Sequence, residues 1–354
     1  MSLPLMQVIP QRAQWLRKYR LMLGKATAPG QTPNPYLTVE DLHINFEVLK
    51  TIERTPNTAL IKVYNLSPES AARVQKDYDD VILMAGYGSA SSQIFRGNIR
   101  HPYKYRDKAD WITEIDAADG DKDFQQAMIC KTLAAGTENI DWLVEIAKEF
   151  NQMGGTKVDL KKFRAQLKGA ARVRGRTFVG HARDLLDDIA RQCDALWSIQ
   201  DGHLHLDMVD TVLPWQAVQL STGTGLLESP EVTDKGIAFK CLLNPAIKIS
   251  GKVWLDNNNM RLMHDKEHIT KAGKTKGKIV RLDPDGIYKV FKINIKGDNR
   301  GGEWITEGQC IGLDQPIPKQ QQPMMTNSSD LMDVQDMQDM AEEAGAGAGA
   351  GGAP

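Results

Sequence analysis

Apolar and polar residues alternate in DLHINFEVLKTI, residues 41–52, and again in ALIKVYN, residues 59–65. Successive side chains of a β-strand point to opposite faces, so this alternation predicts two strands that each bury one face. The residues RTPN between them supply turn chemistry. The stretch therefore predicts a long antiparallel hairpin with Ile44, Phe46 and Val48 facing the core.

The residues that follow continue the β pattern after one short helix. SPES at residues 67–70 predicts a helix start, with Ser67 as the cap and Pro68 in the first position. The segments VILMAGYG, IFRGNIRHPYKY and DWITEIDAA then predict three further strands. Residues 36–120 are therefore expected to form a small antiparallel barrel or sandwich.

The middle of the chain has a different periodicity. ENIDWLVEIAKEF and HARDLLDDIARQCDALW carry apolar residues at helical spacing. WSIQDGHLHLDM then predicts a hairpin around Asp201 and Gly202, a residue pair that favours two-residue turns. Residues 121–213 are therefore expected to form a small α/β domain.

Residues 214–318 return to a β pattern. GIYKVFKINI and EWITEGQCIGL predict two strands, and GDNRGGEW, residues 297–304, joins them. The chain as a whole is thus predicted to be α+β and mostly β, with two β domains on either side of the α/β domain.

The two ends of the chain carry opposite charges, although the net formal charge is only −1. Residues 1–35 are predicted to be a basic arm, and residues 319–354 an acidic, Gly/Ala-ended tail that is disordered because it can bury little apolar surface. No segment has the apolar length of a signal peptide core or a membrane span, so we expect a protein that crosses no membrane. The four cysteines form no CxxC pair, which suits a reducing compartment.

The glycines of GDNRGGEW are a feature of phosphate-binding loops. Such a loop needs to open a helix, whereas this one leads into a β pattern. We therefore interpret it as a turn, with Asp298 and Arg300 at a surface or a subunit interface.

No catalytic, cofactor or metal site is predicted. His203, His205 and Asp207 share one strand face, but we expect Leu204 and Leu206 to point inward and the histidines outward. The polar segment containing His264 and His268 favours a loop. Paired acids such as Asp187 and Asp188 would point apart rather than converge on a substrate.

A run without acids, KKFRAQLKGAARVRGR at residues 161–176, could contact phosphates of a nucleic acid or an acidic protein surface. Phe163 alone interleaves it, so base stacking has little support and nucleic acid is not the expected partner. The candidate interface cations are Lys161, Lys162, Arg164, Arg172, Arg174 and Arg176.

Several segments together resemble a known family. INFEVLKTIERTPNTALIKVYNLSPES with VILMAGYG and IFRGNI resembles the first domain of the baseplate (tail) hub proteins of contractile-tailed bacteriophages. SPEVTDKGIAFKCLLNPAIKISGKVWL and GIYKVFKINIKGDNRGGEWIT resemble their closing domain. The resemblance extends over residues 38–311, and none of its motifs is catalytic.

This resemblance implies a structural virion protein and not an enzyme. It implies two tail-tube-like β-barrel domains per chain and a homotrimer at the tail tip that adapts a hexameric tail tube to a trimeric central spike. The implied partners are further copies of the chain, the tube or tube-initiator protein, the spike and neighbouring baseplate proteins, assembled in the host cytoplasm. No cofactor is implied. The alternatives are a nucleic-acid-binding protein that uses residues 161–176 and a tail-tip cell-wall hydrolase.

Overall fold

The computed structural model describes most of the chain up to residue 313. The described ranges are residues 6–7, 15–25, 36–88, 90–153, 155–167, 173–208, 217–233, 236–257, 260–262 and 284–313. The predicted disordered tail, residues 319–354, lies outside them, as do His264, His268 and Arg172.

The described part of the first β region contains eight strands and one helix. In chain order these are β1 (Met6–Gln7), β2 (Arg17–Gly24), β3 (Leu37–Val39), β4 (Ile44–Thr51), β5 (Thr58–Tyr64), α1 (Pro68–Lys76), β6 (Asp80–Tyr87), β7 (Ser92–Asp107) and β8 (Asp110–Ala118).

The predicted hairpin and the predicted helix cap are both confirmed. β4 and β5 pair antiparallel from Ile44 opposite Val63 to Leu49 opposite Thr58. The three expected core residues of β4 are buried. Helix α1 starts at Pro68, and the Ser67 hydroxyl accepts a hydrogen bond from the backbone N–H of Ser70 at 3.2 Å. Local patterning therefore decided this part of the fold.

The middle region has its own core. Its elements are α2 (Asp121–Gln126), β9 (Met128–Leu133), α3 (Asn139–Met153), α4 (Leu160–Gln166), β10 (Arg176–His181), α5 (Ala182–Gln192), β11 (Ala195–Gln200) and β12 (His203–Met208). β9 pairs with β10, and β11 pairs with β12. A second cluster of buried apolar residues, distinct from that of the β regions, fills this region.

The predicted turn in this region is confirmed, whereas the second predicted helix is shorter than expected. Asp201 and Gly202 have φ values of 56° and 78° and connect β11 to β12. Helix α5 ends at Gln192, because Asp194 adopts a left-handed φ of 48° and the chain then enters β11. The apolar residues after Cys193 therefore belong to a strand rather than to the helix.

Seven strands are found among the described residues of the last β region. They are β13 (Ala217–Leu220), β14 (Glu231–Thr233), β15 (Gly236–Leu242), β16 (Lys252–Leu255), β17 (Arg261–Leu262), β18 (Ile287–Asp298) and β19 (Trp304–Gly312), with a short 3-10 turn at Thr222–Thr224. β18 and β19 form the predicted hairpin.

One continuous sheet joins the two β regions. Its strand order is β17-β14-β15-β19-β18-β4-β5-β8-β7-β6-β2-β3, and the junction is the antiparallel pairing of β18 with β4, from Lys292 opposite Thr51 to Asp298 opposite Asn45. The buried apolar residues of both regions also form one cluster. The prediction of an α+β, mostly β chain is confirmed. Among the described residues, however, no closed barrel is found, so the two expected barrels are not seen in that form.

The description of residues 1–35 as a basic arm was wrong for Arg17–Gly24, which form strand β2. This strand pairs with β6 over its whole length, and Tyr19, Leu21 and Leu23 are buried. The charges of Lys18 and Arg20 alternate with these apolar residues and point outward. The alternation was therefore the decisive pattern, and the net positive charge was not.

Adjacent residues of β5 test which face of the sheet is the core. Ile61 is fully buried, and we expect Ile61→Ala to lower the free energy of unfolding by about 2–5 kcal/mol through lost apolar burial and a residual cavity. Leu60 is 38% exposed on the other face, so Leu60→Ala should change it by less than about 1 kcal/mol. Urea unfolding measures both values, and a similar loss in the two variants would contradict the assigned faces.

Candidate functional site

The connection Gly297–Trp304 is a structured turn bound to the start of β4. The side chain of Asn299 accepts from the N–H of Ile44 at 2.9 Å and donates to the carbonyl of Leu42 at 2.9 Å. The Asn299 N–H also donates to the Ile44 carbonyl at 3.3 Å. These bonds continue the β18·β4 junction beyond the last paired residues, so the turn closes one end of that junction.

The Asp298 side chain contacts both its own turn and the residue before β4. Its Oδ1 accepts from the N–H of Arg300 at 2.7 Å and lies 3.2 Å from His43 Nε2. Burial raises the pKa of the Asp298 carboxyl, but the bonds from Arg300 and His43 more than offset it and hold the pKa below its ordinary value. Asp298 is therefore an ionised anchor of the turn.

Strand β2 holds the other side of the turn. The Arg17 guanidinium donates through Nη1 to the carbonyls of Asp298, at 2.7 Å, and Gly302, at 2.9 Å. It also lies 5.8 Å from the centre of the Trp304 ring, which packs edge-on against Phe46 at 5.4 Å. An arginine of the supposed arm thus fixes a turn that lies more than 280 residues further along the chain.

The two residues of this turn that were predicted for an interface, Asp298 and Arg300, have different surroundings. The Asp298 side chain is only 20% exposed and bonds within its own chain. Arg300 is exposed. A subunit contact at either residue stays a prediction.

The basic segment does not form one continuous element. Lys161, Lys162 and Arg164 lie on α4, whose Asp159 cap accepts from the N–H groups of Lys161 and Lys162. Lys161, Arg164 and Arg174 are exposed, and Lys162 is half-buried.

Arg176 differs from the other cations of the segment. It pairs with Asp188 of α5 and lies over the Phe178 ring. Arg176 is therefore a structural residue of the middle region, and a binding role for the remaining cations stays a prediction.

A buried polar cluster, which no sequence pattern predicted, lies between the first β region and the middle region. Asp119, at the end of β8, is fully buried and accepts hydrogen bonds from the N–H groups of Asp201 and of Gly202, the latter at 2.9 Å. Lys50 of β4 donates to Asp201 Oδ1 at 2.6 Å. The Asp201–Gly202 turn is therefore fastened to the end of the first β region.

Amide side chains complete the same cluster. Asn57 donates to the Ile199 carbonyl and to Gln200 Oε1, both at 2.9 Å. Gln200 in turn donates to the Thr51 carbonyl at 2.7 Å. A signal for this cluster existed in the sequence, because Asn57 and Asp201 both occupy predicted turns. The contact of Asn57 with Gln200, however, joins positions 143 residues apart.

A second polar contact joins the middle region to the last β region. Ser250 donates to Asp207 Oδ2 at 2.7 Å, and both residues are buried. Lys289 of β18 is buried nearby, where burial lowers its pKa and the Asp207 carboxylate opposes that effect. The middle region is thus held by a buried carboxylate on each of its two sides.

The strand with the two histidines follows the expected orientation only in part, because His205 is half-buried and Asp207 is buried. Leu204 and Leu206 are buried, and His203 is exposed. Burial lowers the pKa of His205 to about 4, with Asp207 opposing. Within the described ranges no group of three or more His, Cys, Asp or Glu side chains could hold a metal ion. In the same part of the chain, no helix has the length and apolar character needed to cross a membrane.

Asp119→Asn tests the buried cluster through pH dependence. Burial and the neighbouring Asp201 raise the pKa of Asp119 from 3.8 to about 7, although Lys50 and the two N–H groups oppose this. A raised pKa means that the folded state binds the proton more tightly, so the contribution of Asp119 to stability is lost as the pH rises. The wild-type advantage over Asp119→Asn in unfolding free energy should therefore fall between about pH 4 and 7. Urea unfolding across that range measures it, and a constant difference would contradict this role.

Gly297→Ala tests the packing of the turn against β4. A Cβ at this position would lie 2.2 Å from the Phe46 ring, so either the ring or the strand must shift. We expect the free energy of unfolding to fall by about 1–3 kcal/mol. At Gly223 the nearest atom to an added Cβ is 3.8 Å away, so Gly223→Ala should stay within about 0.5 kcal/mol of wild type in the same denaturation experiment. A Gly297→Ala variant as stable as wild type would contradict the close packing of Gly297 against the Phe46 ring.

Comparison with solved structures identifies tail proteins with this fold. The 43 kDa tail protein of prophage MuSo2 from Shewanella oneidensis matches with a TM-score of 0.50 and 10% identity, over 85% of this chain and 99% of that one. The tail protein from Neisseria meningitidis MC58 matches with a TM-score of 0.51 and 7% identity, over 86% and 100%. A chain of the Francisella PdpA–VgrG complex matches with a TM-score of 0.54 and 10% identity, over 89% and 60%. At these identities the likeness concerns the fold alone.

Comparison at the level of sequence identifies the family. No curated protein matches the sequence. The profile of the family described as baseplate hub gp41 matches residues 27–260, which include the first β region from β3 onward, the middle region and strands β13 to β16 of the last β region. The chain therefore belongs to the baseplate hub gp41 family and is a structural protein of the tail and baseplate type.

Proposed function

We propose that three copies of this hub protein form a ring at the tail tip that joins a hexameric tail tube to a threefold central spike. The family supplies the baseplate role. The threefold ring and the adaptor function are inferred from the strand order described next.

The observation that carries the proposal is a topological repeat. In the first β region, the hairpins β4–β5 and β7–β8 lie in the sheet order β4-β5-β8-β7. In the last β region, the hairpins β14–β15 and β18–β19 lie in the order β14-β15-β19-β18. Every neighbouring pair in both sets is antiparallel, so the two sets also agree in strand direction.

The next strand continues the repeat. β6 precedes β7 in the chain and pairs with its first half, from Ser92 to Asn98. β16 precedes β18 and pairs with its first residues, from Ile287 to Lys289. Two regions without visible sequence similarity thus share five strands in the same order.

A chain with two similar units, placed side by side, has a simple consequence for assembly. Three copies around a threefold axis provide six similar positions, which can match a hexameric tube, while the true symmetry remains threefold and can match a trimeric spike. The β18·β4 junction supports this proposal because it sets the two units side by side in one sheet.

The two alternative functions are not proposed. The exposed cations of the basic segment are compatible with nucleic acid, but the described contacts place Arg176 against Asp188. None of the contacts described above favours cell-wall hydrolysis. A structural role in the virion is therefore the function that the geometry supports best.

The copy number in purified particles tests the proposal. Quantitative mass spectrometry would compare this protein with the tube protein of the same particles. We expect three copies per particle, because one copy supplies two of six positions. Six or twelve copies would indicate a ring or wedge component of similar fold, and absence from the particle would overturn the baseplate role itself.

A further inference from the structure

The outer half of strand β7 has an unused backbone edge. β6 covers β7 only as far as Asn98, whereas β8 accompanies it to the end of the hairpin, where Asp107 lies opposite Asp110. Within the described residues, no strand pairs with the second edge of β7 between His101 and Asp107. Such an edge presents unpaired N–H and C=O groups that can add another strand.

The register shows which groups point outward. Trp111, opposite Arg106, directs its N–H and C=O to Asn65 on the far side of β8, at 3.0 and 2.7 Å. Arg106 and Trp111 are therefore a non-hydrogen-bonded pair, and the backbone groups of Arg106 point away from β8. Lys104, two residues earlier and opposite Thr113, has the same orientation. The free edge thus offers the N–H and C=O groups of Lys104 and Arg106.

Exposed aromatic side chains flank this edge. Tyr103 is 58% exposed, and Trp111 of β8 is 47% exposed beneath the Lys104 ammonium, which lies 5.1 Å from its ring centre. Aromatic residues are enriched in protein–protein interfaces, because they bury a large area with few rotatable bonds. The hairpin end therefore combines an open edge with side chains suited to a contact.

The topological repeat identifies the occupant of this edge. β18 is the counterpart of β7, and its outer half, from Lys292 to Asp298, pairs with β4 of the next unit in the same chain. β14 is the counterpart of β4 at the opposite end of the sheet. Among the described residues, its outer side carries only β17, which is two residues long, Arg261–Leu262.

We propose that the outer half of β7, His101–Asp107, pairs with the β14–β17 end of the sheet of a second copy of this chain. In this junction β7 takes the place in the sheet that β18 has beside β4, and the edge that it meets is that of β17, which already pairs with Glu231 and Val232 of β14. The sheet thus continues from copy to copy. This inference rests on the threefold ring proposed above and assigns its subunit interface. The strand order, and not charge, supports this contact, because Glu228 is already paired with Lys240 and Glu231 lies opposite Arg261 at the end of the sheet.

A proline at Lys104 tests the interface without breaking the β7·β8 ladder. Lys104→Pro removes an outward N–H, whereas the bonds to β8 come from the neighbouring residues. Lys104→Thr is the matched control, because it removes the same charge and keeps the N–H. Sedimentation velocity of the full-length protein over a concentration series would give the self-association of each form. We expect wild type and Lys104→Thr to form trimers and Lys104→Pro to associate at least about tenfold more weakly.

The outcomes separate this inference from the ring itself. Trimers of unchanged affinity in all three proteins would overturn the β7 edge as the interface and leave the threefold ring standing. A wild-type protein that stays monomeric up to its solubility limit would contradict self-assembly into a ring and, with it, this interface. Equal weakening in the threonine and proline variants would assign the effect to the charge and refute the backbone pairing.

Hydrogen exchange of the unmodified protein provides a second measurement that does not depend on how the proline variant folds. Peptides that cover residues 101–107 would be compared in dilute and concentrated wild-type protein by mass spectrometry. The outward amides of Lys104 and Arg106 should become protected as the trimer forms, because they then donate to a neighbouring strand. Equal exchange in monomer and trimer would exclude this edge.

Discussion

The antiparallel pairing of β18 with β4 is the interaction on which the rest of the structure depends. It gives β4 a partner on each edge, because β5 covers the other side, so the backbone polar groups of this central strand are satisfied. On the outer face of the sheet, Asn294 donates to Glu47 across the junction at 2.8 Å. Without this pairing, each β region would end in an open edge, and the two repeats would have no defined relation to each other.

Buried polar contacts fix the position of the middle region against the sheet. On one side, Asp119 accepts hydrogen bonds from the backbone of the Asp201–Gly202 turn. On the other side, Asp207 accepts a hydrogen bond from Ser250. A buried carboxylate is costly unless several donors surround it, so these contacts tolerate only a narrow range of positions. They specify where the α/β region sits against the sheet, while its own apolar cluster supplies most of its packing.

The candidate site was predictable in part. GDNRGGEW was correctly interpreted as a turn, because glycines and short polar residues act locally. Its partners Arg17 and His43 were not found, since their contacts with Asp298 join positions 281 and 255 residues apart. For the basic segment, residues that are neighbours in the sequence are separated by folding. Arg176 pairs with Asp188, whereas Arg164 lies on an exposed helix face.

The sequence by itself determined the local elements: the β4–β5 and β18–β19 hairpins, the Ser67 cap of α1 and the Asp201–Gly202 turn. Each depends on side-chain periodicity or turn chemistry within a few residues. Only the tertiary structure decided that β2 pairs with β6, that β18 pairs with β4, and that the strand order repeats. Backbone edges carry the same N–H and C=O groups in every strand, so the choice between them depends on long-range packing that no local pattern encodes.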